Sequence, residues 1–199
     1  MRILLSVALL GTTLLAQSKN ARDLGPATLL VASRDLADPN FAKTVILLVH
    51  YDDESVLGLT INRHTDVAVS RLFENLKAGK DRADSIYLGG PVEISTVFAL
   101  LESPDKLKGA EPVFGETYLI STKALLEKTV ASRPKPDVFH VYLGYAGWTN
   151  EQLRKEVALG MWFIFHADTA LIFDSDPDSL WPRMIKKTEQ TLAMRIRVK

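Results

Sequence analysis

Cysteine is absent from all 199 residues, and its absence removes disulfides, thiolate metal sites and cysteine nucleophiles together. It leaves the compartment open, because a cysteine-free chain suits either redox environment. Charge of one sign is missing too. Lys and Arg number 24 against 24 Asp and Glu, for a net charge of zero, so no long-range field draws the chain to nucleic acid or an anionic membrane. The chain has no G-x-G-x-x-G or G-x-x-x-x-G-K-[ST] loop for phosphates, no G-x-S-x-G elbow and no H-E-x-x-H pair. It shows no helix-turn-helix, zinc finger or basic stripe, and no internal repeat.

What is present is apolar material. Hydrophobic residues make up 47% of the chain, enough for the core of one ordinary domain. The first 18 residues stand apart. Arg2 precedes an uncharged apolar run from Ile3 to Ala16, and Ala16-Gln17-Ser18 puts small residues where signal peptidase reads them. Residues 1–18 therefore read as a signal peptide and 19–199 as a single domain with its core at about 24–185, an exported protein, periplasmic or extracellular. The run is shorter than the roughly 20 residues of a membrane-spanning helix, so no stable transmembrane span is expected in the mature form. An uncleaved anchor, or a mis-assigned start ahead of a cytoplasmic domain, are the alternatives.

Along the chain, Thr28 to Ala32 and Thr44 to His50 read as strands. The unbroken run Val45–Val49 does not alternate, which places it centrally with both faces covered. Asp52 to Ser55 makes a hairpin-like break before a strand from Val56 to Asn62. Val69 to Leu76 suits a short amphipathic helix, Lys77 to Asp84 a charged loop, and Ser85 to Leu88 a strand ending in Gly89-Gly90-Pro91-Val92. A strand at Thr96–Leu101, a loop at Ser103–Phe114 and a strand at Tyr118–Ile120 follow. Ser121 or Thr122 is placed to cap a helix over Lys123–Val130.

The densest stretch runs from Phe139 to Trp162. Phe139, Val141 and Leu143 alternate with His140 and Tyr142, as in a strand with two different faces. Gly144 to Trp148 reads as a tight glycine turn, Thr149 and Gln152 as a capping box, and Gly160 as the left-handed end of a helix that turns Leu153 and Val157 to one side. A strand follows to His166, then a helix over Asp178–Thr191 with Trp181 and Ile185 on one face. Strands and helices interleave without strict βαβ alternation, which argues for a mixed α/β (α+β) domain.

These residues carry a resemblance. Gly144-Tyr145-Ala146-Gly147-Trp148 with Gln152, Leu153 and Glu156 resembles the GYAGW-x-x-x-QL-x-x-E motif of the YqgE/AlgH family. Asp38-Pro39-x-Phe41, His50, Gly58-Leu59-x-Ile61-Asn62 and Gly89-Gly90-Pro91-Val92 resemble its other signatures, although His64 stands where the family has a proline soon after the asparagine. The resemblance reaches from about Leu24 to Trp181. It implies a single domain with a bifurcated, partly barrel-like mixed sheet surrounded by helices. It assigns no reaction, and family members that begin near the equivalent of Leu24 imply a cytosolic setting.

For a site, Tyr145, Trp148, Gln152 and Glu156 offer an aromatic plate beside an amide and a carboxylate, able to hold a small polar ligand or a peptide. The plainer reading is a core tryptophan with a locally satisfied indole. Asn62, Gly89, Gly90, Pro91 and Gly147 complete the candidate binding set. The glycine pair could offer N–H groups to an anion, but a structural turn is the better reading. His50, His64, His140 and His166 lack metal-ligand spacing. Asp174, Asp176 and Asp178 start like a calcium loop, but Ser179 replaces its glycine and Ile185 its glutamate. Lys186, Lys187, Arg195, Arg197 and Lys199 read as a solvated basic tail. No catalytic residue, metal or cofactor is assigned. The expected function is a non-enzymatic binding or regulatory module for an unknown small ligand or protein partner. The alternatives are a transcriptional regulator, by family name only, and a hydrolase of unfamiliar design built on a histidine and a carboxylate such as Glu156.

Overall fold

The computed structural model describes residues 24–76 and 79–197. The signal-peptide reading over 1–18 lies outside the described residues, and so do the side chains of Arg195 and Arg197 and all of Lys199. Ten strands form one mixed sheet: β1 (Thr28–Ala32), β2 (Val45–Tyr51), β3 (Val56–Thr60), β4 (His64–Ala68), β5 (Ser85–Leu88), β6 (Val92–Glu102), β7 (Glu111–Phe114), β8 (Thr117–Ile120), β9 (Phe139–Trp148) and β10 (Trp162–His166). Among the described residues four α-helices accompany them: α1 (Lys123–Ala131), α2 (Asn150–Ala158), α3 (Thr169–Ile172) and α4 (Pro177–Arg197). As the resemblance implies, the sheet is bifurcated.

The fork lies on β9. Its first half runs between two partners, parallel to β5 (Ile86 opposite Val141) and antiparallel to β6 (Ala99 opposite Val141). Its second half exchanges β5 for β3, with Val56 opposite Trp148 and Gly58 opposite Ala146. One branch continues through β3, β2 and β1 to β10, and the other holds β4 on β5. β2 lies between β1 and β3, with Val45 to Val49 all buried, as its unbroken apolar run requires. The alternation along β9 sorts its two faces. Phe139 and Val141 enter a core with Leu126 and Val130 of α1, while Tyr142 joins the larger core on the other side. Burying each such aliphatic or aromatic side chain is worth roughly 1.5–3 kcal/mol.

Several sequence expectations are corrected. Gly144 to Trp148 is strand, not a tight turn, because its backbone finds new ladder partners in β3 just where β5 ends. Val69–Leu76 is no α-helix: only Val69–Arg71 forms a 3-10 turn. The Val69 and Ser70 amides donate to the Asp84 and Arg82 carbonyls, tying this segment to a distant loop, and Leu72 faces solvent. Residues 64–68, to which the sequence assigns no element, form β4, paired through His64 with Tyr87. The supposed loop before Phe114 contains β7. The last helix starts at Pro177 and reaches Arg197, with Pro182 inside it. At α2, Thr149 Oγ1 accepts from the Gln152 amide at 3.1 Å, but the Gln152 side chain turns to Glu156, so only half of the capping box forms.

Candidate functional site: an acid-rimmed cavity beside the fork

The residues that carry the motifs hold the fork together. Gly89 N donates to Leu143 O and Gly89 O accepts from Thr60 N, both at 2.8 Å, so this one residue joins β9 to β3 at the branch. A Cβ on Gly89 would stand 2.3 Å from Gly144 O, and one on Gly90 would stand 2.1 Å from the Tyr145 carbonyl carbon. The backbones pass too closely for any side chain. Gly144, at φ +66°, supplies the bend. Pro91 is exposed just before β6, Gly147 pairs with Leu57, and half-buried Tyr145 meets Phe98 edge-on.

Trp148, Gln152 and Glu156 do converge, although Trp148 sits on β9 and not on the helix. Glu156 Oε2 accepts from the Trp148 indole at 3.0 Å and from the Trp162 indole at 2.8 Å, and Oε1 accepts from Gln152 Nε2 at 2.9 Å. Phe41 stacks on Trp148 with centroids 5.8 Å apart and meets Trp162 edge-on at 5.9 Å. Trp148 is only 5% exposed, so the aromatic plate is core. Asn62, also buried, bridges β2 and β3: Oδ1 accepts from Val45 N at 2.7 Å and Nδ2 donates to Lys43 O at 3.0 Å. Arg63 donates to the Pro39, Asn40 and Ala42 carbonyls, locking the loop that delivers Phe41.

A cavity of about 530 Å³ opens on the other branch. Strand pairing builds one wall. His64 on β4 lies opposite Tyr87 on β5, Tyr87 lies opposite Tyr142 on β9, and His140 shares the Tyr142 face two residues away. Tyr87 stacks on His140 with centroids 4.5 Å apart and planes 20° from parallel. The loop between α3 and α4 builds the facing wall, and there Phe173 meets the His140 ring edge-on at 5.2 Å. Five carboxylates line the opening: Asp84, Asp137, Asp174, Asp176 and Asp178.

Their partners differ. Asp84 is held by buried Arg82, which donates Nε to Oδ1 at 2.8 Å and Nη2 to Oδ2 at 2.6 Å, with Nη1 on Pro134 O. Asp174 accepts from the Arg183 guanidinium and from the Asp176 amide, so a carboxylate that a calcium loop would need is already engaged. Asp178 in the first turn of α4 faces the His64 imidazole at 3.3 Å. Burial pushes the His140 imidazole down to about 4, opposed by the Asp84 charge and a hydrogen bond to the Pro136 backbone. Burial pushes the Tyr87 phenol up to about 12, helped by the charges of Asp174, Asp178 and Asp84. At neutral pH both rings are therefore uncharged.

The structure brings His64, His140 and the three loop aspartates to one place, which the sequence reading did not. The signals were present separately: the alternation of β9, and a D-x-D-x-D run next to a helix start. Their meeting depends on β4 pairing with β5, and no local pattern in the sequence announces that pairing. His50 lies elsewhere, on Asp52 at 2.8 Å, and His166 ends β10. No cluster of three or more metal-ligating side chains exists among the described residues.

A forked mixed sheet on one long strand, with four helices packed about it, defines a class of single-domain α+β proteins. The chain belongs to the AlgH-like family, whose model matches residues 29–193. It is 34% identical over 164 residues to a UPF0301 protein of Azoarcus sp. (strain BH72), covering 78% of this chain and 87% of that protein. A UPF0301 protein of Hahella chejuensis is 35% identical over 151 residues, 75% of this chain and 80% of its own. The solution structure of the AlgH protein from Pseudomonas aeruginosa superposes with a TM-score of 0.62 at 29% identity, over 85% and 87% of the two chains. The crystal structure of protein DIP2367 from Corynebacterium diphtheriae has the same fold, at a TM-score of 0.70 and 18% identity, over 83% and 87%. The family is one of unassigned function.

Proposed function

We propose that the protein is a small-ligand-binding module and that the cavity between β4, β5, β9 and the α3–α4 loop is its binding site. The observation that carries this reading is the cavity itself: about 530 Å³, within the range of small-molecule sites, with apolar walls and polar groups converging from three strands and a loop. The motif residues around Trp148 and Glu156 already satisfy one another, so their role is to hold the fork. Titrating the full chain with small-molecule probes, with the His64, Tyr87 and His140 resonances as reporters, tests the assignment. Shifts confined to these residues support it. Shifts centred on the Trp148 and Trp162 indoles would move the site to the fork.

A second reading, hydrolysis, is favoured by the His64–Asp178 pair at the cavity mouth, a histidine held beside a carboxylate. The alternative base Glu156 is committed to two indoles and an amide. A screen of ester, phosphate and peptide substrates with a His64→Ala control decides it; a flat screen retires it. We further propose that the protein is exported. Intact mass from separated envelope and cytosolic fractions tests this, and a species starting near Lys19 outside the cytosol would end any regulatory role on DNA.

A further inference from the structure

The ligand's chemistry follows from the charges and from one unpartnered hydroxyl. Resting on the cavity as the binding site, we infer that it takes a primary ammonium or guanidinium group, which donates to the Tyr87 hydroxyl oxygen and faces the carboxylates of Asp137 and Asp178. The charge around the cavity is one-sided. No lysine or arginine lines it. Arg82 and Arg183 pair with Asp84 and Asp174, and Asp176 is engaged by Ser179 and by the Arg183 charge, but among the described residues no lysine or arginine pairs with Asp137 or Asp178. His64 is the competitor, meeting Asp178 at 3.3 Å, and a bound cation must share or displace that contact. His140 is neutral at neutral pH and adds no opposing charge.

Tyr87 is the independent observation. It is 6% exposed and lines the cavity, and its ring packs against those of His140 and Tyr142. Yet its hydroxyl has no hydrogen-bond partner among the described residues. The hydroxyl itself opens onto the cavity, since the buried side-chain atoms without a partner are those of Tyr51 and Thr117, so whatever occupies the cavity, water or ligand, supplies its partner. Its oxygen is an acceptor standing in the field of several carboxylates, which favours a cationic donor over an anion and a charged donor over a neutral one. Phe173, Pro136 and Pro177 give such a cation an apolar wall for its alkyl stem. A quaternary ammonium has the charge but no N–H, so it satisfies only half of the site. The cation can be a free amine or a lysine or arginine side chain, since the recognising chemistry is the same.

Calorimetric and NMR titration of the full chain with butylammonium, butylguanidinium, tetramethylammonium, butanol and butyrate tests the inference. The two N–H cations are expected to bind about tenfold or more tighter than butanol, a difference of roughly 1.4 kcal/mol, with butyrate weakest. Joint Asp137→Asn and Asp178→Asn substitution, at exposed positions that leave the core untouched, is expected to erase that preference. Tyr87→Phe should lower the affinity of the N–H cations towards that of tetramethylammonium. N-acetyl-lysine amide binding as well as butylammonium would assign the source to a peptide side chain, and its exclusion to a free amine. Equal or tighter binding of butanol or butyrate at the His64 and His140 resonances would overturn the charge inference and leave the binding site standing. No shift at those resonances with any probe would overturn both.

Discussion

The fork and the cavity are built from the same strand, and they differ in how their polar groups are used. At the fork the polar side chains of Glu156, Asn62 and Arg63 have their partners within the protein. Glu156 is shared by two indoles and an amide, Asn62 bridges two backbone groups, and Arg63 three carbonyls. In the cavity, the Tyr87 hydroxyl and the exposed Asp137 carboxylate have no such closure, and Asp178 has only the His64 ring. The difference teaches that motif density marks where the backbone is most constrained, which here is where one strand changes partners. Binding capacity lies where polar groups are left over.

Substitution at the crossing should separate the two regions most sharply. Gly90→Ala places a Cβ 2.1 Å from a backbone carbon of Tyr145. No rotamer relieves it, so a stability loss of about 3 kcal/mol or more is expected in urea unfolding. A comparable loss comes from Arg82→Met, which leaves Asp84 half-buried without its partner and should cost roughly 3–5 kcal/mol. If either variant unfolds at the wild-type midpoint, the crossing or the ion pair is not a main support. Glu156→Gln keeps the volume but offers one acceptor oxygen where two were used, and a loss of about 2 kcal/mol is expected.

The cavity side is sharpened by pH. The His140 value falls from 6.5 ordinarily to about 4 in the fold, so as pH drops below 6.5 the unfolded chain takes up a proton that the folded chain refuses. Stability from this group is complete above pH 6.5, declines towards pH 4, and amounts to about 3 kcal/mol at 1.36 kcal/mol per unit. His140→Phe, which keeps an aromatic ring against Tyr87, should flatten that part of the acid limb in equilibrium unfolding followed from pH 7 to pH 4. An unchanged slope would mean that the imidazole is hydrated or charged in the fold. The smallest stability effect is expected from Asp178→Asn, within about 0.5 kcal/mol at an exposed position, although binding should weaken.

Much of the fold was legible in the sequence. The unbroken run 45–49, the alternation 139–143 and the Thr149 cap each state a local physical requirement, and the structure meets them. What could not be read was any element whose partner lies far away. Residues 64–68 carry a weak strand pattern and become β4 only because β5 offers its edge. Val69 and Ser70 leave helix geometry because their amides are taken by residues 82–84. The Gly144–Trp148 glycines resemble a turn from local propensity alone, but only the second ladder with β3 makes them strand. The candidate site suffered most from this. Its aspartates, histidines and tyrosine come from four separate segments, and no spacing rule joins them.

The measurement that tests the account most directly is an NMR titration of the full chain with butylammonium, which reads the indole N–H signals of Trp148 and Trp162 together with the rings of His64, Tyr87 and His140. The account predicts saturable shifts at the cavity rings while both indole signals stay on Glu156, unmoved. Saturable shifts at the indoles with silent cavity rings would contradict it, placing recognition at the fork.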